Sequence, residues 1–327
     1  MTVRTTARNA RTVVRLATYV PRKALGLGLR HGVRRVVTLP DIASVPEGRM
    51  VDLPGRGRCF VADVPGPSPD APTIVLLHGL GTTAYLSWFT VLAELSQQYR
   101  VVTFDLRWHG RGIHGDRFRL ADCADDTAAV LHHLGIDDAV IAGYSLGGAV
   151  AQEMWRRHPD RVAGLVLCST SGNWKHERRE RMFFPVLGMA MHPLSRVARS
   201  RVERRARSLP ELPSFDTRDL HSWGLAELRS TSGWSMPEVL GELGRFDSAG
   251  WIGNIDVPTA VLVTQRDGAI PAERQRALAA SIPGAIVLEA PGGHASLFLD
   301  HQRWLPLFLD AAASVTDRLP TRGQLAG

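Results

Sequence analysis

Gly143-Tyr144-Ser145-Leu146-Gly147 decides the reading of this 327-residue chain. Before it stands Ala139-Val140-Ile141-Ala142, a short apolar run of the kind that forms a buried strand. After it, Gly148-Ala149-Val150-Ala151-Gln152-Glu153-Met154-Trp155 reads as a helix ending near His158-Pro159. A serine at such a strand-to-helix corner takes a strained backbone conformation, and small flanking residues relieve the crowding. Its side chain is left at the carboxyl edge of the sheet, and the next N–H, on Leu146, points at whatever the hydroxyl attacks. A bare Gly-Ser turn gives the same pentapeptide by chance. The strand before, the helix after and a third glycine at 148 turn the reading toward a nucleophile.

A Ser hydroxyl alone is a poor nucleophile. It needs an imidazole to take its proton, and the imidazole needs a carboxylate to fix its tautomer and stabilise its charged form. Behind a nucleophile of this kind the chain order should be Ser, acid, His. Ala260-Val261-Leu262-Val263 is a buried strand running into Thr264-Gln265-Arg266-Asp267-Gly268, which places a carboxylate just past a strand end. Ile286-Val287-Leu288 then leads into Pro291-Gly292-Gly293-His294. Ser145, Asp267 and His294 are the expected catalytic set. The earlier strand Leu165-Val166-Leu167 runs into Cys168-Ser169-Thr170-Ser171, which holds no carboxylate. Asp256 precedes its strand, Asp247 has no strand delivering it, and Asp300 follows His294 on a helix as a solvated charge.

The intermediate in such chemistry needs two backbone donors. Thr73-Ile74-Val75-Leu76-Leu77 is an apolar strand ending in His78-Gly79-Leu80-Gly81, where glycines let the backbone approach a substrate closely. The N–H of Leu80 is expected to join that of Leu146 as the oxyanion hole. His78 is read as a residue that braces the loop. His132 and His133 are helix neighbours facing different ways, and no H-E-x-x-H or C-x-x-C spacing occurs, so neither a metal nor another cofactor is called for.

With these residues in place the chain resembles a serine hydrolase of the α/β-hydrolase fold family, in its esterase and lipase branch. The likeness covers about residues 51 to 315 and rests on four places: His78-Gly79-Leu80-Gly81, Asp105-Leu106-Arg107-Trp108-His109-Gly110, the Ser145 corner, and the Asp267 and His294 loops. Relatives usually have Gly where Trp108 stands, and Gly-x-Ser where Arg111-Gly112-Ile113 follows. Trp108 either shapes the pocket rim or packs beside the strand Val101-Val102-Thr103-Phe104. The resemblance implies an α/β fold with a mostly parallel central sheet flanked by helices and a helical lid inserted between two late strands. Asn173 to Gly253, where the strand pattern stops, is the expected lid. It is rich in Arg, including Arg178, Arg179, Arg181, Arg196 and Arg204, and carries Met182-Phe183-Phe184, Met189 and Met191. Because position 145 is Ser rather than Asp, dehalogenase and epoxide-hydrolase chemistries are disfavoured.

Length and a hydrophobic fraction of 44% suit one large core with insertions. Asp52-Leu53 and Cys59-Phe60-Val61-Ala62-Asp63-Val64, joined by Gly55-Arg56-Gly57, read as an opening hairpin. The three cysteines are too few and scattered for a disulfide framework, which points to a cytoplasmic location. Of the 39 basic residues, nine fall in residues 1 to 40 with no acidic residue, leaving 30 against 32 acidic ones beyond. The net charge of +7 therefore belongs to an N-terminal extension, residues 1–50, ahead of a hydrolase domain at 51–327. That extension is too interrupted by charge to span a bilayer or serve as a signal-peptide core. It suits either adsorption to an anionic membrane surface, placing the protein peripherally at the inner face, or a disordered tail. No base-stacking motif supports a nucleic-acid partner, and Gly26-Leu27-Gly28 is no nucleotide fingerprint.

The expected activity is hydrolysis of a small hydrophobic acyl ester, through an acyl-enzyme on Ser145. A carbon–carbon bond hydrolase or a thioesterase shares the same residues, and a catalytically silent membrane-associated binding protein is the reading from another class.

Overall fold

Alternate residues of the central strands go to opposite faces, and this period of two builds the molecule as three layers. The computed structural model describes residues 46–115, 117–175, 187, 194–213 and 220–320. Its sheet has eight strands: β1 Arg49–Leu53, β2 Gly57–Val64, β3 Thr73–Leu77, β4 Arg100–Phe104, β5 Ala139–Tyr144, β6 Val162–Cys168, β7 Thr259–Thr264 and β8 Ile286–Ala290, in the order β1-β2-β4-β3-β5-β6-β7-β8. β1 and β2 form the expected hairpin and β2 meets β4 antiparallel. Every other pairing is parallel.

Ten α-helices have described bounds: α1 Ala84–Trp88, α2 Leu92–Leu95, α3 Leu120–His133, α4 Leu146–Arg157, α5 Ser195–Arg207, α6 Leu220–Ser230, α7 Met236–Leu243, α8 Ala272–Ala280, α9 Ser296–Leu299 and α10 His301–Thr316. Val75, Leu77, Ile141, Val261 and Val263 point into one core with residues of α3, α4 and α8. Ile74, Leu76, Val140, Ala142 and Leu262 point into the other, with α1, α2 and α10. Strands buried on both faces read as continuous apolar runs, which is why they were legible in the sequence.

This winding positions the site. After β3 the chain crosses to the face of α1 and α2, and after β5 it crosses to the face of α4. The two loops part at the carboxyl edge, opening a crevice between β3 and β5, where open parallel sheets hold their ligands. His78–Thr82 forms one side and Ser145 the other.

Between β6 and β7 the described residues include the helices α5, α6 and α7. An isolated antiparallel bridge between Asn173 and Asp247, with Ser248 N–H donating to Gly172 O at 2.9 Å, closes the base of this insert. Residues 1–45, which carry the basic extension, and Arg178, Arg179, Arg181, Met182-Phe183-Phe184, Met189 and Met191 lie outside the described residues. Among the described residues no helix is long and apolar enough to cross a membrane. Cys59, Cys123 and Cys168 are all free and buried, and burial raises each thiol, that of Cys59 to about 12. They are inert packing groups at neutral pH.

Candidate active site

Ser145 lies between the last residue of β5 and the first of α4 with φ 55° and ψ −111°, the left-handed region that costs a non-glycine residue about 1–3 kcal/mol. The surroundings hold it there. Ser145 N–H donates to Cys168 O at 2.9 Å, while its own carbonyl accepts from Gly148 N–H at 3.0 Å and Thr170 Oγ1 at 2.8 Å. The flanking glycines are required by space: a Cβ on Gly143 would strike the Gly147 carbonyl, one on Gly147 the Leu77 carbonyl, and one on Gly148 the Thr170 side chain.

Asp267 on the β7–α8 loop and His294 on the β8–α9 loop come together beside this corner. His294 Nδ1 lies 2.7 Å from Asp267 Oδ2, and its Nε2 lies 3.0 Å from Ser145 Oγ. Backbone bonds from Gln265 N to Ala290 O and from Arg266 N to Gly292 O, at 2.9 and 2.8 Å, tie the two loops together. The Asp267 side chain is fully buried yet well served by donors. Its Oδ1 accepts from the N–H of Ala269 and of Ile270, both at 2.8 Å, and its Oδ2 also accepts from Gln275 Nε2 at 3.1 Å. Such a carboxylate can only accept, so the imidazole proton belongs on Nδ1 and the Nε2 lone pair faces the serine hydroxyl. Asp300 instead sits near Arg303, at 3.8 Å, on the surface.

Sequence reasoning missed Gln275. Its Oε1 accepts from Thr264 N–H at 2.9 Å and its Nε2 donates to Ile270 O at 2.7 Å, so one buried amide braces both ends of the acid loop. The only signal was a Gln on the first helix after Asp267.

On the other side of the crevice, a Cβ at Gly79 would stand 3.2 Å from Tyr144 Cδ1 and 3.8 Å from Ser145 Cβ, so this loop runs directly beside Ser145. Among the described residues, neither Leu80 N–H nor Leu146 N–H has a hydrogen-bond partner. The Gly79 carbonyl is held away from the crevice by His78 Nδ1 and Thr82 Oγ1, both at 2.8 Å. His78 Nε2 accepts from Leu106 N–H at 2.9 Å, so the ring braces two loops as a neutral imidazole; burial lowers its pKa to about 4. His109, edge-on to it at 5.1 Å, is lowered to about 3, first by burial and then by His78.

Trp108 packs beside the strand and does not form a rim. It is 1% exposed, its indole N–H donates to Gly115 O at 3.2 Å, and it takes φ 65°, a conformation that favours glycine. Arg111, the second departure, forms a buried ion pair with Glu227 of α6 at 3.3 Å. Glu227 also accepts from Thr83 Oγ1 at 2.6 Å, and Gly110 N–H donates to Thr231 Oγ1 at 3.0 Å. The helical insert is therefore bolted to the loops after β3 and β4, a contact no local sequence pattern announces.

A family profile described as the alpha/beta hydrolase fold matches residues 72–301. The chain belongs to the α/β-hydrolase fold family. Within it, this hydrolase-fold chain is 30% identical over 239 residues to a pimeloyl-[acyl-carrier protein] methyl ester esterase of Chromobacterium violaceum, covering 71% of this chain and 90% of that protein. It is 27% identical over 248 residues to the magnesium-chelatase 30 kDa subunit of Rhodobacter capsulatus, covering 70% and 82%. Among solved structures, a thermophilic esterase from Thermogutta terrifontis superposes with a TM-score of 0.60 at 26% identity, covering 82% of this chain and 99% of that one. Family, fold and a hydrolase class agree. Relatives named for different roles show why the substrate has to be argued from the site.

Proposed function

We propose that this α/β hydrolase is a serine-dependent carboxylic ester hydrolase for a hydrophobic acyl ester. The observation that carries the proposal is the unbroken hydrogen-bond chain from Ser145 Oγ through both nitrogens of His294 to Asp267. In this reading Ser145 Oγ attacks the ester carbonyl while His294 Nε2 takes its proton, and Asp267 stabilises the imidazolium. The carbonyl oxygen, now an alkoxide, is met by Leu80 and Leu146 N–H at the positive end of α4. His294 returns the proton to the leaving alcohol. A water, deprotonated by the same imidazole, then releases the acid from Ser145.

The helical insert supports an apolar acyl site. Met236 of α7, 5% exposed, lies against the loop after β3: a Cβ on Gly81 would stand 3.4 Å from its sulfur. Methionine adapts to irregular apolar shapes, and an insert placed here would exclude water from the acyl-enzyme. The ester class also agrees with the name of the Chromobacterium relative, a methyl ester esterase. The nine basic residues of 1–40 favour adsorption to an anionic membrane as a separate property of the extension.

The test pairs p-nitrophenyl esters of increasing chain length with a fluorophosphonate probe. Ester turnover, with the probe mapped to Ser145 by mass spectrometry and both lost in Ser145→Ala, is the expected outcome. Turnover in Ser145→Ala within tenfold of wild type overturns the assignment, since losing a relay member costs about 10⁴ to 10⁶ in rate. Turnover confined to a vinylogous diketone would replace the ester with a carbon–carbon bond.

A further inference from the structure

His294 has a third neighbour besides Asp267 and Ser145. The ring of Tyr144, the residue before the nucleophile, has its centroid 5.5 Å from that of the imidazole, with the two planes 39° apart. Tyr144 is 3% exposed and fixed from behind: Trp88 and Trp304 meet it edge-on at 6.4 and 6.3 Å, and Trp304 stacks on Phe308 at 5.0 Å. On its other flank the backbone of Gly79 comes close, so that a Cβ there would stand 3.2 Å from Tyr144 Cδ1. The packing of these rings sets where this side chain lies.

We propose that Tyr144 is a positioning residue for His294, its aromatic ring holding the imidazole against Asp267 and favouring the imidazolium that forms when Ser145 gives up its proton. The proposal rests on the relay argued under Proposed function. The physical basis is the ring quadrupole: a cation within about 6 Å of an aromatic centroid is attracted, whereas a neutral imidazole gains much less. The attraction therefore grows as the reaction proceeds, which is the kind of interaction that raises kcat rather than lowering KM.

The titratable groups in contact with His294 are Asp267 from the β7 loop and Tyr144 from β5, while the loop after β3 carries His78. Burial, and then the charge on Asp267, raise the Tyr144 phenol and keep it protonated. His78 is lowered by burial to about 4. Neither changes charge across the neutral range, so a shift in the acidic limb of the rate profile reports on the relay itself.

The experiment compares Tyr144→Phe with Tyr144→pentafluorophenylalanine, which keeps the shape of the ring and reverses the sign of its face. Both are measured on a p-nitrophenyl ester from pH 5 to 9, after the fluorophosphonate has been mapped on the wild type. Tyr144→Phe should stay within about twofold of wild type in kcat, because it keeps the ring that faces His294. Tyr144→pentafluorophenylalanine should lose about three- to tenfold in kcat with KM held, and its acidic limb in kcat/KM should move about half a unit lower. Failure of the wild type to label at Ser145 removes the relay beneath the proposal. Normal labelling with the same kcat and acidic limb in both variants overturns the role of Tyr144 alone.

Discussion

The buried histidine pair makes the stability of this protein depend on pH in a way that can be calculated. His78 and His109 are both fully buried, with pKa values lowered to about 4 and about 3, chiefly by burial. In the unfolded chain each titrates near the ordinary value of 6.5. A base whose folded pKa is depressed binds more protons when unfolded, so its stability contribution is complete above about 6.5 and drains away as pH falls toward the folded value. Between pH 7 and 5 the drain is about 2 kcal/mol for each ring, at 1.36 kcal/mol per pK unit. Together the two cost about 4 kcal/mol, a large part of the 5–15 kcal/mol available to a folded domain. The buried carboxyls Asp105 and Glu227, raised chiefly by burial, act in the opposite direction. A difference measurement cancels them. His109 suits that measurement because its Nε2 has no partner among the described residues, and its Nδ1 bonds only Arg107 O, at 2.9 Å. Equilibrium denaturation of wild type and His109→Leu at pH 7 and pH 5 should show the wild type losing about 2 kcal/mol more than the variant over that interval. Equal losses in the two proteins would refute the assignment of a neutral, desolvated His109.

Asp267→Asn should cut ester turnover about 10⁴-fold by presenting an N–H to His294 and enforcing the wrong tautomer. Asp300→Asn, on a surface carboxylate, should leave the rate unchanged, and a larger rate loss from that change would move the acid to a different loop. Deleting residues 1 to 40 should spare hydrolysis of a short soluble ester but weaken sedimentation with anionic vesicles. The weakening should fade at high salt as the screening length falls from about 10 Å at 0.1 M to 3 Å at 1 M. Equal sedimentation of both forms would leave the extension without a membrane role.

Much of this protein follows from short stretches of sequence because the physics there is local. Val75, Ile141 and Val261 lie in apolar runs that only a doubly covered strand accommodates. The corner at Ser145 announces itself because its crowding permits nothing larger than Gly at 143, 147 and 148. Asp267 and His294 could be chosen over Asp247, Asp256 and Asp300 because a strand end delivers each of them to the carboxyl edge. Gln275, Tyr144 and the Arg111–Glu227 pair could not be read this way. Gln275 matters because α8 folds back under the Asp267 loop, and Tyr144 because β8 brings His294 against the residue before Ser145. Arg111 and Glu227 are 116 positions apart, so their pairing exists only once the insert has folded onto the loop after β4. Sequence fixes a residue's chemistry and its local conformation; the burial that shifts a histidine to about 3, and the neighbour that completes a site, arise only from tertiary packing.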